Sequence, residues 1–384
     1  MDIKLFSTML KDRHFCNLEK MKHKYSADFN EFLQVLAEMY YKPIPLSDFD
    51  GNDLCFIENH ALVNQSTVKL LLKSRNNYYG IKAAEDEIVS TSAIENIDFS
   101  RDSVRNILKG YAPKDEQESR ILGIKKGLEF VADTSNKITE YNLHKLYMMT
   151  VGDFLEGDSK LNDGEFYRHD TVYVVGNGVE HSGVDHKKVP LLMKALIDFA
   201  NMDDGINDLV KAAIIHFYLA FIHPYFDGNG RTARLVHLWF LIQRGYQSAL
   251  FIPFSGLIEK SRKAYYDAFT LIEENRKISQ RIDVTPFVLY FIENVYNKMS
   301  VSDQSALSRC SEAVKSGELT KKETELLQYV ISCYGTDEFS TKQLEKDFGN
   351  AAYATIRSFV LKLEKLGLLT AVRYGTRTKY KITQ

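Results

Sequence analysis

Apolar residues recur every three or four positions along most of the chain, a spacing typical of amphipathic helices. The clearest case is NDLVKAAIIHFYLAFI, residues 207–222, where the apolar positions form one continuous stripe. A second helix is predicted to begin near Gly230 and to end before Gly245, because glycine commonly ends helices. The chain is therefore predicted to be mainly α-helical, with a short loop between these two core helices.

Helical spacing also covers the first part of the chain. Ser26 or Asp28 opens a predicted helix that Pro43 stops, and helical signals continue to about residue 155. The exception is the stretch from Thr171 to Val184, where a β-branched and aromatic run precedes Gly176-Asn177-Gly178. That pattern predicts a β-hairpin.

The last part of the chain has a different order of elements. Residues 300–318 are serine-rich and weakly periodic, which indicates a linker. A helix from about Thr320, a short helix at STKQLEKDF, a long helix at AAYATIRSFVLKLEKLG and two strand-like runs around a glycine follow. This is the order of a winged helix-turn-helix, predicted over residues 319–384.

Basic residues on the third helix and the wing could contact nucleic-acid phosphates. They are Arg357, Lys362, Lys365, Arg373, Arg377, Lys379 and Lys381. Glu364 and the acidic second helix weaken this interpretation, and many winged helices dock proteins or form dimers instead. DNA and a second copy of the chain both remain candidate partners.

Composition narrows the class of protein without naming a partner. The 384 residues are 45% hydrophobic, enough for two or three domains, and 49 basic against 51 acidic residues leave a net charge of −2. The four cysteines form no CxxC pair, which argues against a disulfide framework or a zinc site. No apolar run reaches about 18 residues. We expect a cytoplasmic protein with no membrane partner.

The loop FIHPYFDGNGRTAR, residues 221–234, contains the side chains most suited to catalysis and anion binding. Gly228 and Gly230 free the backbone just where a helix begins, so that free N–H groups converge on an anion. Arg231 and Arg234, three apart, can both pair with phosphate oxygens. The loop is not a Walker P-loop, because GxxxxGK[ST] is absent and because it joins two helices.

Two further side chains complete this loop. Asp227 offers a hard oxygen ligand with which Mg²⁺ could bridge phosphates, and His223 can accept a proton near neutral pH. Taken singly, each of these groups has a plain structural explanation: a helix cap, a turn or a surface ion pair. Together they suggest that a hydroxyl attacks a metal-bound phosphate.

The loop resembles the Fic (Fic/Doc) family signature HPFx[D/E]GNGRxxR. Eight positions match: His223, Pro224, Asp227, Gly228, Asn229, Gly230, Arg231 and Arg234. The departure is Tyr225, where the family usually has phenylalanine. The resemblance implies a helical Fic core with a β-hairpin flap.

The implied activity is adenylylation (AMPylation), the transfer of AMP from ATP to a hydroxyl of a target protein or of the chain itself. By the resemblance, His223 is the base, Asp227 holds Mg²⁺, and Gly228, Asn229 and Gly230 cradle the phosphates. Arg231 neutralises the departing charge. Positioning and electrostatic stabilisation would then supply most of the rate enhancement.

Upstream, TSAIEN (residues 91–96) resembles the family's inhibitory motif, [S/T]xxxE[G/N]. In relatives with this motif before the core, the class II arrangement, the glutamate pairs with the signature's second arginine. Here those residues are Glu95 and Arg234. A carboxylate in a phosphate site both occupies the cation and repels the triphosphate. By itself the motif is short and loose, and Glu95 could be a solvated helix residue.

Two other segments resemble parts of the family. The predicted hairpin falls where the family carries its target-aligning flap, although HSGVDH replaces the usual proline pair. IEKSRKAYYDAF resembles the segment after the core through Arg262, Tyr265 and Tyr266, and the tyrosines either border the adenine or pack in the core. His216 is predicted to be a packed histidine rather than a second catalyst.

The predicted organisation is an N-terminal helical region (1–84), a Fic domain (85–299) with an inhibitory helix near 85–97, the linker and the winged helix. The predicted function is that of an autoinhibited adenylyltransferase. Removal of AMP with Glu95, a DNA-binding regulator with a nucleotide-sensing core, and transfer of a phosphate or phosphocholine group remain alternatives.

Overall fold

The computed structural model describes residues 1–64, 67–68, 81–176, 179–298, 309, 313, 317–334, 338–349, 351–375 and 377–383. The helices are α1 (Ile3–Leu10), α2 (Leu18–Lys24), α3 (Phe29–Val35), α4 (Ile81–Ile94), α5 (Arg101–Leu108), α6 (Glu116–Ala132), α7 (Glu140–Thr150), α8 (Val189–Asn201), α9 (Asp208–Ile222), α10 (Asn229–Gln243), α11 (Phe254–Lys260), α12 (Arg262–Ser279), α13 (Thr285–Tyr290), α14 (Lys321–Cys333), α15 (Thr341–Phe348) and α16 (Tyr353–Lys365). The strands are β1 (Tyr41–Ser47), β2 (Asp53–Ile57), β3 (Tyr173–Gly176), β4 (Val179–Ser182), β5 (Ile282–Asp283), β6 (Leu369–Tyr374) and β7 (Arg377–Ile382).

The described residues divide into two units, the first within 1–77 and 87–298, the second within 78–86 and 299–384. Among the described residues, no helix is both long enough and apolar enough to cross a membrane.

The centre of the first unit is formed by α9 and α10, the two helices that the sequence predicts most clearly. Asn207 opens α9 by accepting a hydrogen bond from the N–H of Leu209 at 3.0 Å. Every residue of α10 from Arg231 to Ile242 is buried. A helix enclosed on all sides needs apolar or paired residues around its whole circumference, so the polar members of α10 must find partners inside the protein.

A small sheet interrupts the helices of the first unit, and the expectation of helix through to residue 155 is wrong there. β1 pairs antiparallel with β2, with Tyr41 opposite Ile57, and β2 pairs parallel with β5, with Leu54 opposite Ile282. The predicted helix before Pro43 ends as a π-helical turn at residues 36–40, directly ahead of β1. A strand at the sheet edge tolerates proline, which helical periodicity does not anticipate.

The predicted hairpin between residues 171 and 184 is confirmed. β3 and β4 pair antiparallel, with Tyr173 opposite Ser182 and Gly176 opposite Val179. The predicted turn at Asn177-Gly178 lies outside the described residues. At the open end of the hairpin, the N–H of Gly183 donates to the carbonyl of Val172 at 2.7 Å.

The second unit contains α14, α15, α16 and the antiparallel hairpin β6–β7. α14 begins with a capping box: Thr320 accepts from the N–H of Glu323, whose carboxylate accepts from the N–H of Thr320. Phe339 and Tyr380 exchange backbone hydrogen bonds, which adds a bridge to the hairpin. Most of the predicted linker at 300–318 lies outside the described residues, and the predicted domain boundaries remain predictions.

Candidate active site

His223 stands at the point where α9 ends and the chain reverses. Its backbone is left-handed (φ 56°, ψ 61°), and its N–H donates to the carbonyl of Leu219 at 3.1 Å. This conformation is costly for a residue with a side chain, so the surrounding contacts must maintain it. Burial lowers the pKa of His223 to about 4, and the charge of Arg168 acts in the same direction. The imidazole is therefore neutral at pH 7 and able to accept a proton.

The turn after His223 is closed by the side chain of Asn229. Its Oδ1 accepts from the N–H of Tyr225 at 3.0 Å, and its Nδ2 donates to the carbonyl of Tyr225 at 2.8 Å. The side chain is almost fully buried. Both ends of this amide thus take part in closing the turn.

Gly228 is the N-cap of α10, and the position requires glycine for two reasons. Its φ is +77°, in the left-handed region that favours glycine, and a Cβ would lie 2.6 Å from the methyl groups of Val151. The first turn of a helix leaves its N–H groups without intrahelical partners. Residues 229–231 therefore present N–H groups at a helix N-terminus, a position that suits an anion.

Asp227 and Arg231 form an ion pair at the mouth of this loop. Nη2 of Arg231 donates to Oδ2 of Asp227 at 3.0 Å, and the N–H of Gly228 donates to Oδ1 at 2.6 Å. The Asp227 side chain is 57% exposed, whereas that of Arg231 is buried. The carboxylate thus keeps a solvent-facing side from which it could bind a cation.

Arg234 lies one turn further along α10 and contacts a segment far away in sequence. Its Nη2 donates to Oε1 of Glu95 at 2.7 Å and to the carbonyl of Thr91 at 2.9 Å, while its Nε donates to the Thr91 hydroxyl at 2.8 Å. The Arg234 side chain is only 2% exposed, against 30% for Glu95. Nη1 of Arg234 has no hydrogen-bond partner among the described residues.

The turn that carries Glu95 is fastened from the other side by Arg262. Nη2 of Arg262 donates to the side-chain oxygen of Asn96 at 3.0 Å, and Nη1 is 3.4 Å from the carbonyl of Ala93. Asn96 itself is left-handed, with φ 60°. Further back on α4, the buried carboxylate of Glu87 accepts from the N–H and the hydroxyl of Ser255. The carboxylate of Glu95 is therefore presented by a fixed turn.

The aromatic residues divide between the loop and the core. Tyr225 is fully buried and stacks on Tyr147 with 3.6 Å between ring centroids, and neither hydroxyl has a partner among the described residues. The Tyr265 hydroxyl lies 2.9 Å from Nε2 of His216. His216 is fully buried, which confirms that it is a packed histidine, and burial lowers its pKa.

Tyr147 and Val151 beside the loop were missed in the sequence analysis, and so was Arg168. Its Nε donates to the carbonyl of His223 at 2.8 Å, and its backbone N–H donates to the carbonyl of Pro224 at 3.0 Å. Both acceptors are backbone groups, which leave no mark in the residue pattern. The only available sequence signal was an arginine just before the hairpin.

A magnesium ion at this site would depend on few protein ligands. Within the described part of the chain, no cluster of three or more His, Cys, Asp or Glu residues is arranged to hold a metal ion. A single exposed carboxylate at Asp227 nevertheless fits Mg²⁺, which commonly binds one or two carboxylates and takes its other ligands from phosphates and water.

Known proteins resemble this chain in sequence and in fold. It is 26% identical over 299 residues to the protein adenylyltransferase Fic of Drosophila ananassae, an alignment covering 69% of this chain and 55% of that protein. It is 28% identical over 231 residues to the protein of the same name from Culex quinquefasciatus, covering 56% of this chain and 41% of that protein. The chain thus spans about half the length of these curated relatives.

The crystal structure of a Fic family protein from Desulfovibrio desulfuricans has a similar fold. The TM-score is 0.50 at 19% identity, and the match covers 84% of this chain and 97% of that one. The sequence model of the Fic/DOC family matches residues 137–241, which include the whole loop from His223 to Arg234 and also Arg168. The chain therefore contains a Fic/DOC family domain, at residues 137–241.

Proposed function

We propose that this protein is a protein adenylyltransferase that transfers AMP from ATP to a hydroxyl side chain of a target protein or of itself. The observation that carries the proposal is the loop between α9 and α10. It holds a neutral histidine, an exposed carboxylate and a helix N-terminus within seven residues. The curated relatives from Drosophila and Culex are named protein adenylyltransferases, which supports the same reaction.

In this reaction the hydroxyl oxygen of the acceptor forms a bond to the α-phosphorus of ATP. The bond from that phosphorus to the bridging oxygen of the β-phosphate breaks, and pyrophosphate leaves. His223 takes the hydroxyl proton, for which its depressed pKa keeps it ready at neutral pH. The N–H groups of residues 229–231 and the guanidinium of Arg231 stabilise the phosphate oxygens. A Mg²⁺ ion held by Asp227 would neutralise phosphate charge.

We further propose that Glu95 inhibits the protein by occupying Arg234. The buried guanidinium needs an anion nearby, and Glu95 supplies one at 2.7 Å. Once Glu95 is removed, Arg234 keeps only the neutral oxygens of Thr91 among these contacts. The guanidinium of Arg234, no longer paired with a carboxylate, would then attract the terminal phosphates of ATP. This is the class II arrangement that the TSAIEN segment resembles.

The test is transfer of label from ATP radioactive at the α-phosphate, with Mg²⁺, onto the chain itself. We expect Glu95→Gly to label strongly, the unmodified chain to label weakly, and Glu95→Gly/His223→Ala to lose labelling by a factor of about 10² to 10⁴, the usual contribution of a general base. Equal labelling of the unmodified chain and Glu95→Gly would contradict the inhibitory role. Labelling that survives without His223 would contradict the proposed base.

Removal of AMP from a modified protein is the second candidate. The partial exposure of Glu95 beside the loop favours it, because an exposed carboxylate there could position a water molecule. Incubating the labelled Glu95→Gly product with the unmodified chain and with His223→Ala decides the point. Loss of label only with the unmodified chain would support hydrolysis, and stable label with both would exclude it.

The second unit suggests a regulatory role beside the enzyme. Three helices followed by a hairpin, with Phe339 bridging to Tyr380, match the element order of a winged helix-turn-helix. Arg357, Arg373 and Arg377 are exposed, whereas Lys362 and Lys379 pair with carboxylates. DNA and a second copy of the chain are its proposed partners, and cytoplasmic location is proposed with them. Salt-dependent DNA binding that weakens in Arg357→Ala would support the first partner.

A further inference from the structure

Arg168 connects the loop that carries His223 to the hairpin β3–β4 by donating hydrogen bonds to backbone carbonyls of both. Towards the loop, Nε donates to the carbonyl of His223 at 2.8 Å and the backbone N–H donates to that of Pro224 at 3.0 Å. These two peptides carry the left-handed turn that aims the imidazole. The orientation of His223 therefore depends on a residue 55 positions earlier in the chain.

The same guanidinium holds both ends of the hairpin. Nη1 donates to the carbonyl of Asp170, just before β3, at 2.7 Å, and Nη2 donates to that of Val184, just after β4, at 2.5 Å. Gly183 lies directly against this group, since a Cβ there would lie 3.2 Å from Nη2 and 2.6 Å from Val172. The base of the hairpin is thus built closely around Arg168.

The chemistry of this anchor requires an arginine. A guanidinium offers five donors in a rigid planar fork, whereas a lysine has one flexible ammonium. Arg168 is only 2% exposed, and burial lowers its pKa. Asp185 and Asp170 stabilise its charge through space, but its three side-chain hydrogen bonds all go to neutral carbonyls. Those bonds join three chain segments through one rigid group.

We propose that Arg168 is a positioning residue that fixes hairpin β3–β4 relative to the His223 imidazole, and thereby favours hydroxyls presented along the hairpin over water as acceptors. This inference rests on the proposed transferase function. Water and a protein hydroxyl both yield pyrophosphate, and both give their proton to His223. They differ in that only the protein acceptor has to be held at a set distance from the base.

The experiment makes Arg168→Lys in the Glu95→Gly background and compares this double variant with Glu95→Gly alone. It uses ATP labelled at the α-phosphate, with the chain itself as acceptor. Label on the protein and free labelled AMP are measured together, and ATP affinity is measured by calorimetry. We expect the ratio of protein label to free AMP to fall at least tenfold while the dissociation constant of ATP changes less than twofold. Arg276→Lys is the matched control, because Arg276 also joins distant segments, pairing with Asp48 and Asp50.

Amide hydrogen exchange on the same variants gives a readout independent of activity. Arg168→Lys should raise exchange in the hairpin, whereas Arg276→Lys should leave it unchanged. An unchanged acceptor ratio, or an ATP affinity that falls in step with labelling, overturns the inference. If the Glu95→Gly parent yields neither label nor AMP, the proposed function fails instead, and unchanged hairpin exchange in Arg168→Lys then overturns the anchoring role separately.

Discussion

The loop at residues 223–231 and the turn at residues 91–96 meet around Arg234 but are held in different ways. The loop is largely closed by its own members, since Asn229 bonds Tyr225 and Arg231 bonds Asp227, each four residues apart. The turn has backbone hydrogen bonds of its own, but its side chains Glu95 and Asn96 are held by Arg234 and Arg262, more than 130 residues away. The loop therefore keeps side-chain bonds within itself beside the anchor that Arg168 gives it, whereas the side chains of the turn depend on distant partners.

The largest effect should come from breaking the loop at Gly228. Gly228→Ala imposes a left-handed backbone on alanine and drives its Cβ into Val151, so we expect a loss of about 2 to 4 kcal/mol in the free energy of unfolding. Gly205→Ala is the matched control, with φ +72° and open space around it, and should cost only about 1 kcal/mol. Urea denaturation measures both. Equal losses would show that Val151 does not restrict the loop.

A smaller effect, with a change of sign, should come from Gly230. A Cβ there would lie 2.3 Å from Oε1 of Glu95, the end of a flexible side chain. Gly230→Ala should therefore destabilise the unmodified chain by about 1 kcal/mol. In the Glu95→Gly background it should be neutral or stabilising by up to about 1 kcal/mol, because alanine favours helix. A double-mutant cycle measures the difference. Additive effects would mean that the Glu95 side chain does not restrict position 230.

A still smaller effect is expected at the outer side of the turn. Arg262→Ala removes the contacts to Asn96 and Ala93 and should destabilise the turn by about 1 kcal/mol. Because the turn holds Glu95 on Arg234, ATP should then bind roughly fivefold more tightly. Lys263→Ala, which removes only an exposed pair with Asp267, should leave the affinity unchanged. Calorimetric titration with ATP checks both variants, and tighter binding in the lysine variant as well would count against the specific role of Arg262.

The smallest effect concerns pH. Burial lowers the pKa of His223 to about 4, whereas the charge of Glu95 acts to raise it. In Glu95→Gly, kcat/KM should therefore change less than twofold between pH 7 and pH 6 and should fall only near pH 4, where the imidazole becomes protonated. A histidine of ordinary pKa near 6.5 would lose about threefold over the first of these intervals. That larger loss, in initial rates of labelling, would mean that the base is more exposed than described.

The sequence predicts the loop well because its determinants are adjacent. The boundaries of α9 and α10, the left-handed glycine and the packed His216 all follow from residues within a few positions of each other. The pairing of Glu95 with Arg234 spans 139 positions and was expected only through resemblance to a family motif. Local geometry leaves a pattern in the residues, whereas a distant contact does not.

Two features escaped sequence reasoning for physical reasons. The sheet β1–β2–β5 joins a proline-containing edge strand to a two-residue strand more than 220 positions later, too short to give any periodicity. Arg168 acts on backbone carbonyls, which every residue possesses, so its acceptors cannot be recognised by residue type. In both cases the tertiary arrangement decides what the local pattern leaves open.

The order of the glutamate and the arginine along the chain also has a consequence during synthesis. Glu95 leaves the ribosome 139 residues before Arg234, which at 5 to 20 residues per second is roughly 7 to 28 s earlier. The carboxylate is thus already present when the arginine first emerges. A newly made chain can therefore pair the two as soon as α10 folds.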